Sequence, residues 1–286
     1  MINIIRSDLF RLRKATLWLI CLVLLPVLLM TPGLYSMNFI SYASGDPQVE
    51  RAGEVIEEYC ESKGIDPYDL TTSECRELTL GIEGFMPDLV SIGGNYIYIF
   101  VAALIFEVLI ITRDLSCHSV KNTLTAPVSR KTYYFSKLAT VSFVTIAGNL
   151  ALNIYTWAVN LIINGSGHSM PFGLVLLASL LQILPVLTFI TIFNVLAFLI
   201  QKSLPFILSA FAIYIFLCTM LINIFLIVGI TPYFLAYIPS YVYGLIAFKD
   251  DPEFIGDLIK TGVVCVTVIA AAVSAGYLVF RKQEIK

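Results

Sequence analysis

Residues 171–200 read PFGLVLLASLLQILPVLTFITIFNVLAFLI, a stretch with no Asp, Glu, Lys, Arg or His. The hydrocarbon core of a bilayer, about 30 Å thick, is crossed by roughly 20 mostly apolar residues in a helix. Residues 15–39, 90–112, 138–163, 204–230 and 262–280 meet the same requirement. In lipid the backbone must satisfy its own hydrogen bonds, which leaves helices or a closed barrel. Barrel strands alternate polar and apolar residues, and these runs do not. The expectation is an all-α membrane protein with six transmembrane helices.

The composition agrees. Of 286 residues 58% are hydrophobic and 13% charged, with a mean hydropathy of +0.86. Soluble domains carry about 25% charged residues, so this chain cannot cover a globular surface with charge. That argues against an ordinary cytosolic enzyme and a disordered chain. The 18 Lys and Arg against 20 Asp and Glu leave no basic excess for nucleic acid.

The formal net charge of −2 hides an asymmetry. Cytoplasmic segments of membrane proteins are enriched in Lys and Arg. With the N-terminus inside, the inner segments hold 13 basic residues against Asp8, Asp114 and Glu284. The outer segments hold 5 basic residues against 16 acids, 12 of them between Asp46 and Asp88. Every inner segment is net basic, so both termini, including the tail at 281–286, are expected inside a bacterial cytoplasmic membrane. The first span follows a basic segment, and Ser41-Tyr42-Ala43 resembles a leader cleavage site. Its apolar run exceeds the 7–15 residues of a signal core, which favours a retained span.

The segments between spans carry their own signals. In residues 1–14, Ile2, Ile5, Leu9 and Leu12 recur at helical spacing beside Arg6 and Arg13. This fits a basic amphipathic helix in the inner interface or a cytoplasmic extension of the first span. Residues 40–89 are too long for a simple connection. Asp46-Pro47 opens a helix there and Gly64 can end it. Val49, Ala52, Ile56, Tyr59 and Cys60 share one face, and Thr71-Thr72-Ser73-Glu74 is a capping box for a second short helix. Cys60 and Cys75 are the two cysteines of six placed outside. A disulfide between them would staple the two helices, and two free thiols are the alternative. Residues 231–261 hold apolar, aromatic runs too short to span, which suit re-entrant or interfacial placement.

The sequence contains no phosphate-cradling G-x-x-x-x-G-K-[ST], no H-E-x-x-H and no G-x-S-x-G. His118 and His168 fall on opposite sides of the membrane, so they cannot share a metal. No catalytic residue and no metal site is expected. Two features lie within spans. Glu107 is the one acid in a span, which marks either a functional site or a hydrogen-bonded packing group. Ser142, Thr145, Asn149, Asn153, Thr156, Asn160 and Asn164 form one continuous face of the third span. Such a face lines a water-filled path or bonds a neighbouring helix, and packing is the commoner use.

Residues 113–137 carry the most specific pattern. Arg113-Asp114-Leu115-Ser116-Cys117 leads through His118-Ser119 to Pro127-Val128-Ser129-Arg130, and Lys137-Leu138 follows. This resembles the permease subunits of type-2 ABC exporters, with His118-Ser119 where those carry Gly-Thr. Asp114, Pro127, Ser129, Arg130 and Lys137 are the matching positions.

The resemblance implies a coupling helix formed by Ser119, Val120, Lys121, Asn122, Thr123, Leu124 and Thr125, docking on a separate ABC ATPase. Residues 1–14 would be the connector helix and residues 231–261 the re-entrant pair. ATP and Mg would sit on the partner, with no cofactor on this chain and no enzymatic activity of its own. Two permeases, identical or related, and two ATPases would form the transporter. The second and fifth spans would border the central path, making Glu107, Thr219 and Asn223 candidate lining residues. The implied function is export of a hydrophobic or amphipathic substrate, such as a peptide, antimicrobial or drug-like compound. Bacteriocin or lantibiotic immunity is the alternative within that class. An ATP-independent transporter or channel is the alternative outside it, but it predicts an internal repeat, and none is visible.

Overall fold

The computed structural model describes residues 1–14, 47–70, 74, 78, 96–117, 120, 128–164, 171–215 and 252–283. Among these residues the chain is helical, with no strand. Among the described residues three helices are long and apolar enough to cross a membrane: Arg130–Ile162, Phe172–Ile200 and Gly262–Lys282.

Helix α1 is Ile2–Lys14 and packs across the start of the later helix Arg130–Asn164. Its fully buried residues are Asp8 and Leu12, with Ile5 and Leu9 half-buried beside them. The sequence placed Ile2 on that apolar face, but Ile2 is exposed and an acid takes the middle of the buried face. Helix α2 (Pro47–Lys63) begins where the Asp46-Pro47 pair places a start. It ends at Gly64, whose φ of 64° is the left-handed conformation that glycine adopts without a Cβ penalty. The capping-box residues Thr71, Thr72 and Ser73 lie outside the described residues.

Helix α3 (Tyr96–Glu107) runs into a π-helical turn, Val108–Thr112, and then into the short α4 (Arg113–Ser116). A π turn inserts one extra residue into a helix and is frequent at functional sites. Helix α5 is Arg130–Asn164, 35 residues long. At 1.5 Å per residue it measures about 52 Å, well beyond the bilayer core. Its first two turns therefore project from the span that the sequence begins at residue 138. Ser129 starts it: its Oγ accepts the Thr132 N–H at 3.1 Å, an N-cap bond to the third helical residue.

Helix α6 (Phe172–Ile200) ends at Gln201, whose φ of 59° makes the turn into α7 (Ser203–Ile215). Helix α8 (Pro252–Lys282) starts ten residues before the span expected from hydropathy. Pro252 suits a first helical position. Glu253, Asp257 and Lys260 lower the hydropathy of the early turns without breaking the helix. Residues 252–261 therefore continue into the last helix, and residues 231–251 of the segment read as re-entrant lie outside the described set.

Helix α6 is the centre of the bundle and touches α3, α5, α7 and α8. Phe100 of α3 meets Phe189 and Phe193 edge-on, at centroid distances of 5.0 and 4.7 Å. Near the other end, Phe198 lies 4.8 Å from Phe280 and 5.1 Å from Tyr134. Lipid tails are as apolar as these side chains, so close packing rather than water exclusion supplies the attraction. Meanwhile Phe143, Leu150 and Ile162 of α5 point outward, as lipid-facing residues should.

Gly276 of α8 is one place where this packing admits no side chain. A Cβ there would lie 2.5 Å from the Tyr134 hydroxyl and 3.3 Å from Val195 Cγ2. Tyr134 is fully buried and donates to the Val273 carbonyl at 3.1 Å, so it has little freedom to retreat. Gly276→Ala is expected to cost about 1–3 kcal/mol through overpacking. Tyr134→Phe in the same chain should recover part of that loss by removing the crowding oxygen. Thermal unfolding of the two single variants and the double variant in detergent tests this, and strictly additive effects would contradict it.

Candidate functional site

One end of the bundle gathers α1, α4, the start of α5 and the end of α8. Three ionic contacts hold it. Lys137 Nζ donates to Asp8 Oδ1 at 2.7 Å and to Asp114 Oδ2 at 2.6 Å. Arg11 Nη1 donates to Asp114 Oδ1 at 2.5 Å. The Tyr133 hydroxyl points to Asp114 Oδ2 at 3.5 Å. Lys137 is 1% exposed and Asp8 3%, so this ammonium and carboxylate are out of water, whereas Arg11 is half in it.

Helix geometry explains the grouping. Asp114 sits just past the π turn, which rotates α4 relative to α3. Tyr133 and Lys137 are four residues apart and share one face of α5. Asp8 and Arg11 are three apart on α1, so both reach the same spot. Lys137 thereby joins three segments distant in sequence: the N-terminal helix α1, α4 beyond the π turn and the start of α5.

Arg130 makes a second tie. Its Nη1 donates to the carbonyls of Arg281 and Gln283 at 2.7 and 2.8 Å. These lie at the C-terminus of α8, where carbonyls lack intrahelical partners and a cation is favourable. Gln283 Nε2 donates to the Phe198 carbonyl of α6. Thr112 Oγ1 and Ser203 Oγ, 3.0 Å apart, link the π turn to the start of α7.

Of the residues singled out by sequence, the structure thus unites Asp114 with Lys137 and assigns capping roles to Ser129 and Arg130. Pro127, Ser119, Lys121, Asn122, Thr123, Leu124 and Thr125 lie outside the described residues. Val120 is helical, 1% exposed and packed into the core. Thr219, Asn223 and Cys75 are also outside the described residues, and Cys60 is buried at the end of α2.

Glu107 is fully buried inside the chain, on the residue that precedes the π turn. It faces Asn194 of α6. Among the described residues, neither carboxylate oxygen and neither polar atom of the Asn194 side chain makes a hydrogen bond of ordinary geometry. The polar face of α5 is buried too, and it packs on α6. Asn153 Nδ2 donates to Ser179 Oγ at 3.0 Å and to Gln182 Oε1 at 2.8 Å, and Asn149 Nδ2 to Gln182 Oε1 at 3.3 Å. Of the two uses open to that face, these contacts are helix packing.

Asp8, Arg11 and Tyr133 were not singled out from sequence. Asp8 had a visible signal, as the lone acid in an otherwise basic N-terminal segment. Burial pushes its carboxyl above the ordinary value of 3.8, and the Lys137 charge and hydrogen bond pull it back. A carboxyl with a raised folded-state pKa contributes its stability below the unfolded value and loses it as pH rises through the folded value. Asp8→Asn keeps an acceptor for Lys137 but removes that loss. The difference in melting temperature between Asp8→Asn and wild type should therefore shift in favour of the variant as pH rises from about 4 to 7. Lys137→Met, which strands buried carboxylates, should cost about 3–5 kcal/mol, and adding Asp8→Asn and Asp114→Asn should return part of it. A pH-independent difference for the first variant, or no recovery in the triple variant, would contradict the cluster as described.

No curated protein and no solved structure matches the chain. The family model described as "ABC-2 family transporter protein" matches residues 2–285. With nearly the whole chain covered, this helical, multi-pass membrane protein belongs to the ABC-2 transporter family and is a type-2 ABC permease.

Proposed function

We propose that the chain is the membrane subunit of an ATP-driven exporter that moves a hydrophobic or amphipathic substrate with a separate ABC ATPase. The observation that carries this reading is the Lys137 bridge. Asp114 and Lys137 flank residues 115–136, the segment that would dock on the ATPase. A push on that segment is passed through one buried ammonium to the second span, the third span and α1 together. Family membership supports the ATPase partnership. ATP and Mg are bound by the partner, and this chain performs no chemistry.

In this account six spans place both termini inside, and two permeases pair with two ATPases. ATPase closure rocks the two bundles from an inward-facing to an outward-facing state. Substrate leaves because the outward state binds it less well. Val120, packed into the core, would anchor the coupling helix, whose contact with the ATPase this reading assigns to Lys121, Asn122 and Leu124. Glu107, next to the π turn, is placed where a shift in α3 would be felt. Peptide immunity is a special case of the same mechanism. The acids between Asp46 and Asp88 would attract cationic peptides, and a solvated, solubilising face accounts for them at least as well.

The experiment is co-purification with the ATPase, followed by reconstitution and a screen for substrate-stimulated ATP hydrolysis. Lys121→Ala, Asn122→Ala and Leu124→Ala together should abolish stimulation and transport while leaving the permease in the membrane. Transport with full ATP coupling in that variant would overturn the assignment of the coupling helix. Transport by the permease without any ATPase would overturn the ATP-driven reading itself.

A further inference from the structure

A cavity of about 460 Å³ opens between α1 and the π turn with α4, within the roughly 300–1,000 Å³ range of small-molecule sites. Its two sides differ in character. Arg11, Lys14 and Arg113 bring three cations to its wall. Phe10, Leu109 and Ile110 supply an apolar wall. Asp8 and Asp114 also line it, but Lys137 and Arg11 hold their charges. Among the described residues no carboxylate pairs with Lys14 or Arg113. Lys14 lies over the Phe10 ring at 4.9 Å, with Phe10 exposed, as in an anchor at the membrane interface. Asp8 Oδ2 is buried and has no hydrogen-bond partner among the described residues. A cavity with these features offers places for a phosphate, a hydroxyl donor and the top of an acyl chain.

We propose that this cavity binds the headgroup of an anionic glycerophospholipid of the inner leaflet, with Arg11, Lys14 and Arg113 on the phosphate and Asp8 Oδ2 accepting a headgroup hydroxyl. Basic pockets on the cytoplasmic side of membrane helices suit such headgroups because the cations meet a fixed anion at the headgroup level. The apolar wall distinguishes a lipid from a free phosphate, which has nothing to place there. Occupancy would brace α1 against α4, on the segment leading to the coupling helix. The site rests on the cytoplasmic placement of α1 in the function proposed above.

Cys117 reports on the site, because it lines the cavity and is exposed; Cys21, Cys60, Cys75, Cys218 and Cys265 are replaced by Ala so that it is the one thiol left to label. The full chain is placed in nanodiscs of phosphatidylcholine, with or without phosphatidylglycerol, and Cys117 labelling by a neutral maleimide is timed. Phosphatidylglycerol should slow labelling of Cys117, and inorganic phosphate in phosphatidylcholine discs should not. Lys14→Gln and Arg113→Gln should each weaken the protection about fivefold. They experience the same surface potential as wild type, so the recovery reads the site itself. Neither side chain hydrogen-bonds to a described residue, so both variants should fold. Equal labelling in the two lipids, or protection unaffected by both substitutions, would overturn the proposal. Protection by phosphate alone would overturn its lipid part. An impermeant maleimide that labels Cys117 in inverted vesicles only checks the sidedness separately, so the two readings fail separately.

Discussion

The ammonium of Lys137 has left water, and the bundle is arranged around that fact. An isolated buried cation is costly by many kcal/mol, and proteins tolerate one only when it is paired and hydrogen-bonded. Here two carboxylates supply the pairing, and they come from different parts of the chain. Asp8 must be carried in by α1, and Asp114 must be presented by α4 just beyond the π turn. The energetic gain of such a group over an apolar one is small or negative. Its value lies in specificity, because only one arrangement of the three segments leaves no uncompensated charge.

The same logic holds along the membrane interior at lower stakes. Helix α5 turns its amides and hydroxyls inward and its Phe143, Leu150 and Ile162 outward. The hydrogen bonds from Asn149 and Asn153 to Gln182 and Ser179 fix how α5 sits on α6. Interhelical bonds of this kind are modest, about 0.6–2 kcal/mol each, so register rather than bulk stability is their main effect. Arg130 then fastens the far end of α8 to the start of α5. A chain with the helix ends locked and a polar seam in the middle can move as a body when one end is pushed.

Much of this was legible in the sequence, for reasons that can be named. Residues 171–200 contain no charge, so α6 could hardly be anything but a buried, spanning helix. Asp114, Ser129, Arg130 and Lys137 stood out as a pattern, and each has a bond that explains its residue type. The polar spacing between Ser142 and Asn164 predicts a single face turned from lipid, and the structure shows that it meets α6. The limits were equally physical. Hydropathy cannot see helix that leaves the membrane, so by sequence the first turns of α5 fall in the coupling segment and those of α8 in the re-entrant segment. Periodicity placed an apolar face on α1, but the residue at its centre is Asp8, whose partner lies 129 positions away. No local pattern encodes a pairing over that distance. The π turn after Glu107 is invisible for a related reason, since apolar runs look alike whatever the turn.

The central claim is that one buried ammonium couples α1 and α4 to α5. Amide hydrogen exchange of the reconstituted full chain, wild type against Lys137→Met, tests it most directly. The account predicts that exchange quickens in residues 2–14 and 113–116, while the centres of α5 and α6 stay protected. Unchanged protection of α1 and α4 in that variant, with the chain still folded, would contradict it.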